Sequence, residues 1–287
     1  MRVVESRREL QELSDRGRVA GHRIALVPTM GALHAGHLSL VSLARERAEQ
    51  VWASIFVNPT QFENPADLTA YPRTLERDLE ACRAAGIDAV FTPSAAELYP
   101  ENSQTWVEVS ELTRTLCGAS RPGHFRGVAT VVSKLFLAAK PHVAVFGEKD
   151  YQQLAVLRRM VADLGFDVEI VGGPIVREAD GLALSSRNVR LAPEARRQAL
   201  ALVRALEAAE AAVKAGERSS AALLDLARSE IARAPLARID YVELCDPDSL
   251  QPSLAELDGP GLLALAVYFP SGAGDPVRLI DNRVLRF

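Results

Sequence analysis

The sequence is poor in the residues from which disulfide frameworks and zinc sites are built. It has three cysteines among 287 residues, Cys82, Cys117 and Cys245, which are far apart and form no C-x-x-C pair. This spacing excludes a zinc-finger motif and a disulfide scaffold, and it indicates buried thiols in a reducing compartment. None of the three lies in a motif typical of a catalytic cysteine.

Long apolar runs and surplus positive charge are also missing. No stretch approaches ~18 uninterrupted apolar residues, and no signal-peptide pattern is visible, so we expect a cytoplasmic protein without a membrane span. The chain has 33 Lys and Arg against 37 Asp and Glu, a net charge of −4. Nucleic-acid surfaces need clustered surplus Lys and Arg, so we expect no nucleic-acid partner.

Three familiar catalytic motifs are absent from the sequence: G-x-S-x-G, H-E-x-x-H and the Walker A run. Nothing therefore indicates a nucleophilic serine, a zinc metalloprotease or a P-loop.

Apolar, strand-like runs alternate with helical patterns up to about residue 175. Such alternation is typical of a parallel sheet covered by helices on both faces. The pattern then changes to amphipathic helices, one predicted over 193–216, followed by three strand-like runs separated by turns rich in Pro, Gly and Asp. We predict an α/β protein with a Rossmann-like parallel sheet over residues 1–175. A smaller α+β domain with an antiparallel sheet is expected over 176–287. Residues 106–109 are a candidate for one more strand.

The most informative stretch runs from 28 to 41 and contains His34-Ala35-Gly36-His37. It follows a strand and leads into a helix predicted to end near Gln50. A helix N-terminus and two imidazoles suit anionic phosphates, and Gly31 and Gly36 allow close approach of a base or phosphate. The alternative is that both histidines are ordinary polar residues near a helix cap.

Other polar groups also follow directly after strands: Asn58 and Gln61 after one, and Lys149, Asp150 and Gln153 after another. Ligands of parallel sheets bind beyond the carboxyl ends of the strands, which predicts one common site. Gln152 is expected to form a polar wall of that site together with Gln153. The triplet 148–150 has the alternative interpretation of a solvated charge run.

Two loops add further candidates. Ser185, Ser186 and Arg187 offer hydroxyls and a planar cation for phosphates, or form a simple turn. Arg121 begins a glycine-bounded loop that is either a mobile clamp for an anion or an ordinary surface loop. Met30, Phe62, Val131 and Val132 are candidates for an apolar pocket wall, and the valine pair equally suits a core.

Together these residues resemble the His-x-Gly-His nucleotidyltransferase superfamily and, within it, the pantoate–β-alanine ligase (pantothenate synthetase) family. The matching blocks are 28–37, 55–62, 71–74, 121–134, 146–153, 177–188 and 279–282. The resemblance implies ATP-dependent joining of pantoate to β-alanine through a pantoyl-adenylate, with release of AMP and pyrophosphate. It also implies a homodimer that uses Mg²⁺.

The resemblance further implies roles for individual residues. Catalysis would involve His34, His37, Lys149, Ser185, Ser186 and Arg187, with His37 as the proton donor. ATP would contact Met30, Gly31, His34, Gly36, His37, Gly147, Lys149, Asp150, Val176, Leu184 and the 185–187 run. Pantoate would lie against Gln61 and Gln153, with Gln61 also facing β-alanine, and Arg121 matches a loop arginine of the family. The side chains themselves add Asn58, Val131 and Val132 as candidates for substrate contact. No direct metal ligand is predicted, although Asp78 and Asp150 are candidates for holding Mg²⁺ through water.

Two alternatives stay open. One is another small-molecule adenylyl- or cytidylyltransferase of the same superfamily. The other is a catalytically silent nucleotide-binding regulator. A tRNA synthetase is disfavoured because the chain is acidic and lacks a basic anticodon-binding domain.

Overall fold

The computed structural model describes residues 1–63, 65–253, 255–272 and 274–286, and the chain divides into two compact units. Unit 1 comprises Met1–Glu111, Arg121–Glu148 and Gln153–Pro174. Unit 2 comprises Leu112–Ser120, Lys149–Gln152 and Ile175–Phe287. Two short segments that precede residue 175 in the chain therefore belong to the second unit.

Strands and helices alternate through the first 174 residues. Their bounds in chain order are β1 Arg2–Val4, α1 Arg7–Val19, β2 Ile24–Thr29, α2 Ala35–Arg45, β3 Gln50–Ile55, α3 Pro65–Ala70, α4 Leu75–Ala84, β4 Ala89–Phe91, α5 Ala95–Leu98, α6 Leu116–Ser120, α7 His124–Ala139, β5 Val143–Gly147, α8 Tyr151–Leu164 and β6 Glu169–Gly173.

The six strands of unit 1 form one parallel sheet with the order β1-β4-β3-β2-β5-β6. The chain builds outward from β2 in one direction and from β5 in the other, so the strand order reverses between these two neighbours. In open α/β sheets ligands bind in the crevice at such a reversal, beyond the carboxyl ends of the strands. The loop that carries His34 and His37 leaves β2 at this point.

The interior of the sheet is apolar because its strands are covered by helices. On the face that α2 covers, buried side chains from four strands pack against those of the helix. They include Ala25, Val27, Leu40, Val41, Ala44, Val51, Ala53, Val90, Val143 and Val145.

Unit 2 contains an antiparallel sheet with the strand order β7-β8-β9, covered by helices. Its elements after residue 175 are α9 Pro193–Gln198, α10 Ala201–Lys214, α11 Ser220–Ala232, β7 Arg238–Cys245, β8 Gly261–Phe269 and β9 Val277–Leu285. The apolar core lies between the helices and one face of the sheet. It includes Leu202, Leu206, Leu223, Ile231, Leu263, Leu265 and Leu279.

The predicted fold class is confirmed, whereas three predicted elements were wrong. Two helices take the place of the single helix expected over 193–216: α9 ends at Gln198, and α10 begins at Ala201. The helix after the histidines ends at Arg45, five residues before β3 begins, not near Gln50. Residues 106–109 form no regular strand, and the Trp106 ring instead packs near Tyr99 and Arg126. Among the described residues, no helix combines the length and the apolar character that a bilayer span requires.

The junction of β2 and β5 contains a histidine whose protonation should affect stability. The Ile24 N–H donates to His142 Nδ1 at 3.0 Å, and burial, followed by the charges of Arg18 and Arg23, lowers the pKa of His142 from its ordinary 6.5. The folded protein therefore favours the neutral ring. As the pH falls below the ordinary pKa of histidine, His142 becomes protonated in the unfolded chain but stays neutral in the folded one. The free energy of unfolding therefore decreases.

We expect the substitution His142→Gln to remove this component of the pH dependence. The free energy of unfolding of the original protein minus that of the variant should shrink from about pH 8 to about pH 5. Urea titrations at a series of pH values measure it. A difference that does not change with pH would contradict the assignment.

Candidate active site

A buried carboxylate holds the loop that follows β2. Asp78 of α4 is 2% exposed, and its carboxylate accepts the N–H groups of Ala32 and Leu33, each at 2.8 Å, and the Thr74 hydroxyl at 3.1 Å. Gly31 has a φ of +83°, and a Cβ there would lie 2.9 Å from an Asp78 oxygen. Only glycine fits that conformation and that space. Asp78 is a candidate from the sequence for holding a metal through water, and in the structure its oxygens accept N–H groups of the loop backbone.

The structure brings the two histidine rings together at the start of α2. His34 is the N-cap: its Nδ1 accepts from the Gly36 N–H at 3.2 Å, and Nδ1 of His37 accepts from the His34 N–H at 3.3 Å. The ring centroids are 4.1 Å apart. Because Nδ1 is the acceptor in both rings, the proton of each neutral ring is on Nε2. The interpretation as a helix cap and the interpretation as a ligand site are therefore compatible.

Gln61 lies in a short turn after β3 and is 8% exposed. Its amide accepts from Asn58 Nδ2 at 3.1 Å and donates to the sulfur of Met30 at 3.1 Å. Met30 belongs to the loop that leads to His34. The polar group after β3 is thus linked by a hydrogen bond to the loop after β2.

The amide group of Asn58 is committed to neighbours within unit 1. It is 1% exposed, donates to Gln61 and to the Gly127 carbonyl at 3.2 Å, and accepts from the Thr60 hydroxyl at 2.9 Å. These bonds orient the Gln61 amide. The Thr60 hydroxyl also contacts the Tyr99 hydroxyl, and burial raises the pKa of Tyr99, so that group stays neutral.

Two side chains donate hydrogen bonds to the backbone carbonyl of Gln61. Arg121 Nη2 lies 3.0 Å from it, and His124 Nδ1 lies 2.9 Å from it. A carbonyl only accepts, so Nδ1 of His124 is the protonated nitrogen, and in the neutral ring Nε2 accepts from Arg121 at 3.4 Å. His124 is 8% exposed and was not among the predicted site residues.

At Gly127, helix α7 contacts the turn 59–61 with no side chain between the two backbones. A Cβ on Gly127 would lie 2.4 Å from the Thr60 carbonyl oxygen and 2.9 Å from the Gln61 nitrogen. Val131 and Val132, one helical turn later, are buried. Gln153, on α8 of the same unit, is partly exposed.

The remaining predicted residues lie in unit 2. Lys149 has a side chain that is 19% exposed and lies 3.9 Å from the more exposed Asp150 carboxylate. The Leu184 N–H donates to the Val176 carbonyl at 2.9 Å, and the Ser185 hydroxyl accepts from the Arg187 N–H at 3.2 Å. Gly147, which ends β5, belongs to unit 1. The predicted residues thus divide into two groups, one in each unit.

The prediction for Gln152 was wrong. Its buried amide donates to the carbonyls of Leu112 and Thr115, each at 2.8 Å, and accepts from the Gly118 N–H. It organises the 112–118 segment of unit 2 and does not extend a polar wall. Within the described part of the chain, no group of three or more His, Cys, Asp or Glu side chains is placed to hold a metal ion.

Comparison with known proteins gives a consistent result over the whole chain. The family model described as pantoate-beta-alanine ligase matches residues 2–284. A pantothenate synthetase from Solidesulfovibrio magneticus is 57% identical over 285 residues, which are 99% of this chain and 98% of the relative.

Solved structures agree. A pantothenate synthetase from Thermus thermophilus superposes with a TM-score of 0.93 and 47% identity, covering 100% of both chains. A pantoate-beta-alanine ligase from Francisella tularensis, solved in complex with beta-gamma ATP and beta-alanine, has a TM-score of 0.80 and 33% identity over 99% of this chain and 97% of that one.

The Asp78 carboxylate yields a direct stability test. We expect Asp78→Asn to lower the free energy of unfolding by about 1.5–3 kcal/mol, because an amide replaces one of two charged oxygens that accept backbone N–H groups. The matched control is Asp163→Asn, which removes an exposed ion pair with Arg159 and should change little. Urea unfolding measures both. Equal effects of the two substitutions would contradict the role of Asp78.

Proposed function

Because the chain belongs to the pantoate–beta-alanine ligase family, we propose that it joins pantoate to β-alanine at the expense of ATP, releasing AMP and pyrophosphate. The observation that carries the proposal for the site is the hydrogen bond from Gln61 to Met30. It connects an uncharged polar turn, suited to a hydroxy acid, with the histidine loop, suited to phosphates. Acid and nucleotide would then meet beyond the ends of β2 and β3.

We propose that the first half-reaction forms a pantoyl-adenylate. A pantoate carboxylate oxygen attacks the α-phosphorus in line, the bond to the bridging oxygen breaks, and pyrophosphate leaves with the electron pair. Preorganised donors stabilise the charge that grows on the leaving group. In unit 1 these donors are the N-terminus of α2 and the Nε2–H groups of His34 and His37, with His37 as the proton donor. We propose that the nucleotide also contacts the chain at Met30, Gly31, Gly36 and Gly147.

Unit 2 would supply the remaining charge. Lys149 provides an ammonium. The loop 185–187, called the serine loop below, provides the hydroxyls of Ser185 and Ser186 and the guanidinium of Arg187. Asp150, Val176 and Leu184 would contact the nucleotide beside them. Unit 2 would act as a lid over the reactive acyl-adenylate, since water hydrolyses that intermediate.

The acid would be held by neutral groups. Gln61 and Gln153 are the proposed hydrogen-bond partners of pantoate, with Gln61 also facing β-alanine, and Val131 and Val132 are the proposed apolar wall. Because the amide of Asn58 is committed within the protein, we propose that it acts by orienting Gln61. Arg121 is proposed to act likewise, through the Gln61 carbonyl to which it donates.

In the second half-reaction the free amine of β-alanine attacks the acyl carbon. The amide bond forms, the acyl–phosphate bond breaks, and AMP leaves with its electron pair. The ammonium of β-alanine must lose its protons to solvent or a base, and we assign no residue to that step.

Magnesium is proposed as an ion carried by the triphosphate. Mg²⁺ is commonly held by substrate phosphates with one or two carboxylates. Asp150, half exposed beside Lys149, is the carboxylate proposed for it in unit 2. The ion would neutralise phosphate charge. A homodimer remains the expectation from the resemblance, and a cytoplasmic location remains the expectation from the sequence.

The overall reaction is tested by a coupled AMP-release assay in which pantoate and β-alanine are omitted in turn. We expect AMP only when both are present, and pantoate-dependent exchange of pyrophosphate into ATP without β-alanine. Transfer of a nucleotide that stays on its acceptor would indicate another nucleotidyltransferase. Binding of ATP with no turnover would indicate a regulator. Either result would overturn the proposal.

The proposed charge stabilisation predicts the effect of two substitutions. We expect His37→Ala and Lys149→Ala each to slow adenylate formation by about 10²–10³-fold, the usual cost of removing one donor to a developing anion. Lys214→Ala, at an exposed position of α10, is the matched control. Pre-steady-state pyrophosphate release measures the step. A burst as fast as that of the unmodified protein would rule out the role of the residue tested.

A further inference from the structure

Two adjacent polar residues of β9 are buried in a strand whose other buried residues are apolar. Asp281 and Asn282 are 2% and 7% exposed. Successive side chains of a strand point to opposite faces, so the two reach different segments of unit 2. Building on the proposed function, we propose that they are positioning residues that fix Lys149 and the serine loop at a set spacing for adenylate formation.

Asn282 holds the backbone of Lys149. Its Nδ2 donates to the Lys149 carbonyl at 2.9 Å. Lys149 lies in the short turn Glu148–Asp150, directly after β5. A long side chain delivers its ammonium to one place only if its backbone is fixed. The hydrogen bond from Asn282 supplies that restraint without touching the ammonium.

Asp281 holds the segment that leads to the serine loop. Its carboxylate accepts both Nη groups of Arg177, at 2.7 and 2.9 Å, and Arg177 Nη1 also donates to the Gly181 carbonyl at 3.0 Å. Arg177 pairs with Ala183 across an antiparallel bridge. This bidentate ion pair therefore fixes the conformation of the turn from 177 to 183 and the position at which the loop starts at Leu184. Such paired bonds add geometric specificity to attraction.

One strand carries both restraints. The Asn282 N–H donates to an Asp281 oxygen at 2.8 Å, and β9 is paired with β8 along its whole length. Burying an ion pair is costly, and an apolar pair often stabilises a fold as well or better. Geometry, more than stability, accounts for these two residues at buried positions of a core strand.

The test separates the two half-reactions. The variants are Asp281→Asn, which keeps the shape but loses the charge, and Asn282→Leu, which loses the donor. We expect pantoate-dependent ATP–pyrophosphate exchange to fall by about 10²-fold in kcat, the scale of a misplacement near 1 Å. AMP release from supplied pantoyl-adenylate and β-alanine should change only a few-fold, because the triphosphate groups are no longer needed.

Arg283→Ala is the matched control, since it removes a different ion pair of the same strand, that with Glu210 at 2.8 Å. It should leave both half-reactions intact. Arg177→Lys keeps the charge but loses the paired geometry, and it replaces Asp281→Asn should that variant fail to fold. Asn282→Gln keeps an amide donor on a longer side chain, so its exchange rate should be higher than that of Asn282→Leu.

Unchanged exchange would overturn the proposal, as would equal losses in both half-reactions together with a lower melting temperature. If the unmodified protein itself shows no pantoate-dependent exchange, the proposed function fails, which is a separate result.

Discussion

The buried carboxylate of Asp78 is the interaction on which the site of unit 1 depends. It accepts consecutive backbone N–H groups, from Ala32 and Leu33. The N–H groups at a helix start point only where the preceding chain directs them. Fixing the two residues before His34 therefore fixes the first turn of α2 and both imidazoles. Met30, on the other side of the same loop, receives the Gln61 amide. One carboxylate thus fixes the loop that carries both Met30 and His34.

In each unit, backbone groups of predicted site residues are held in place by neighbouring side chains. The Gln61 carbonyl is gripped by Arg121 and His124, and the Lys149 carbonyl is gripped by Asn282. These bonds fix the backbone from which the Gln61 and Lys149 side chains extend. Preorganisation of this kind lowers the entropy lost when substrates bind and react.

The fold class and the polar residues that follow strands could be predicted from the sequence, because apolar periodicity and polar residues at strand ends are local signals. The structural role of Asp78 could not be predicted because its partners are backbone N–H groups more than forty residues away, which leave no mark in the sequence. The break after Gln198 was missed because the residues around it all favour helix. Residues 112–120 and 149–152 belong to unit 2 through long-range contacts such as those of Gln152, which periodicity does not encode.

The close approach at Gly127 has a consequence for the substitutions that α7 can accept. At this position peptide groups of α7 and of the turn that bears Gln61 are in direct contact, and no methyl group fits between them. Any side chain at position 127 would therefore move the turn, and the Gln61 amide with it, away from α7.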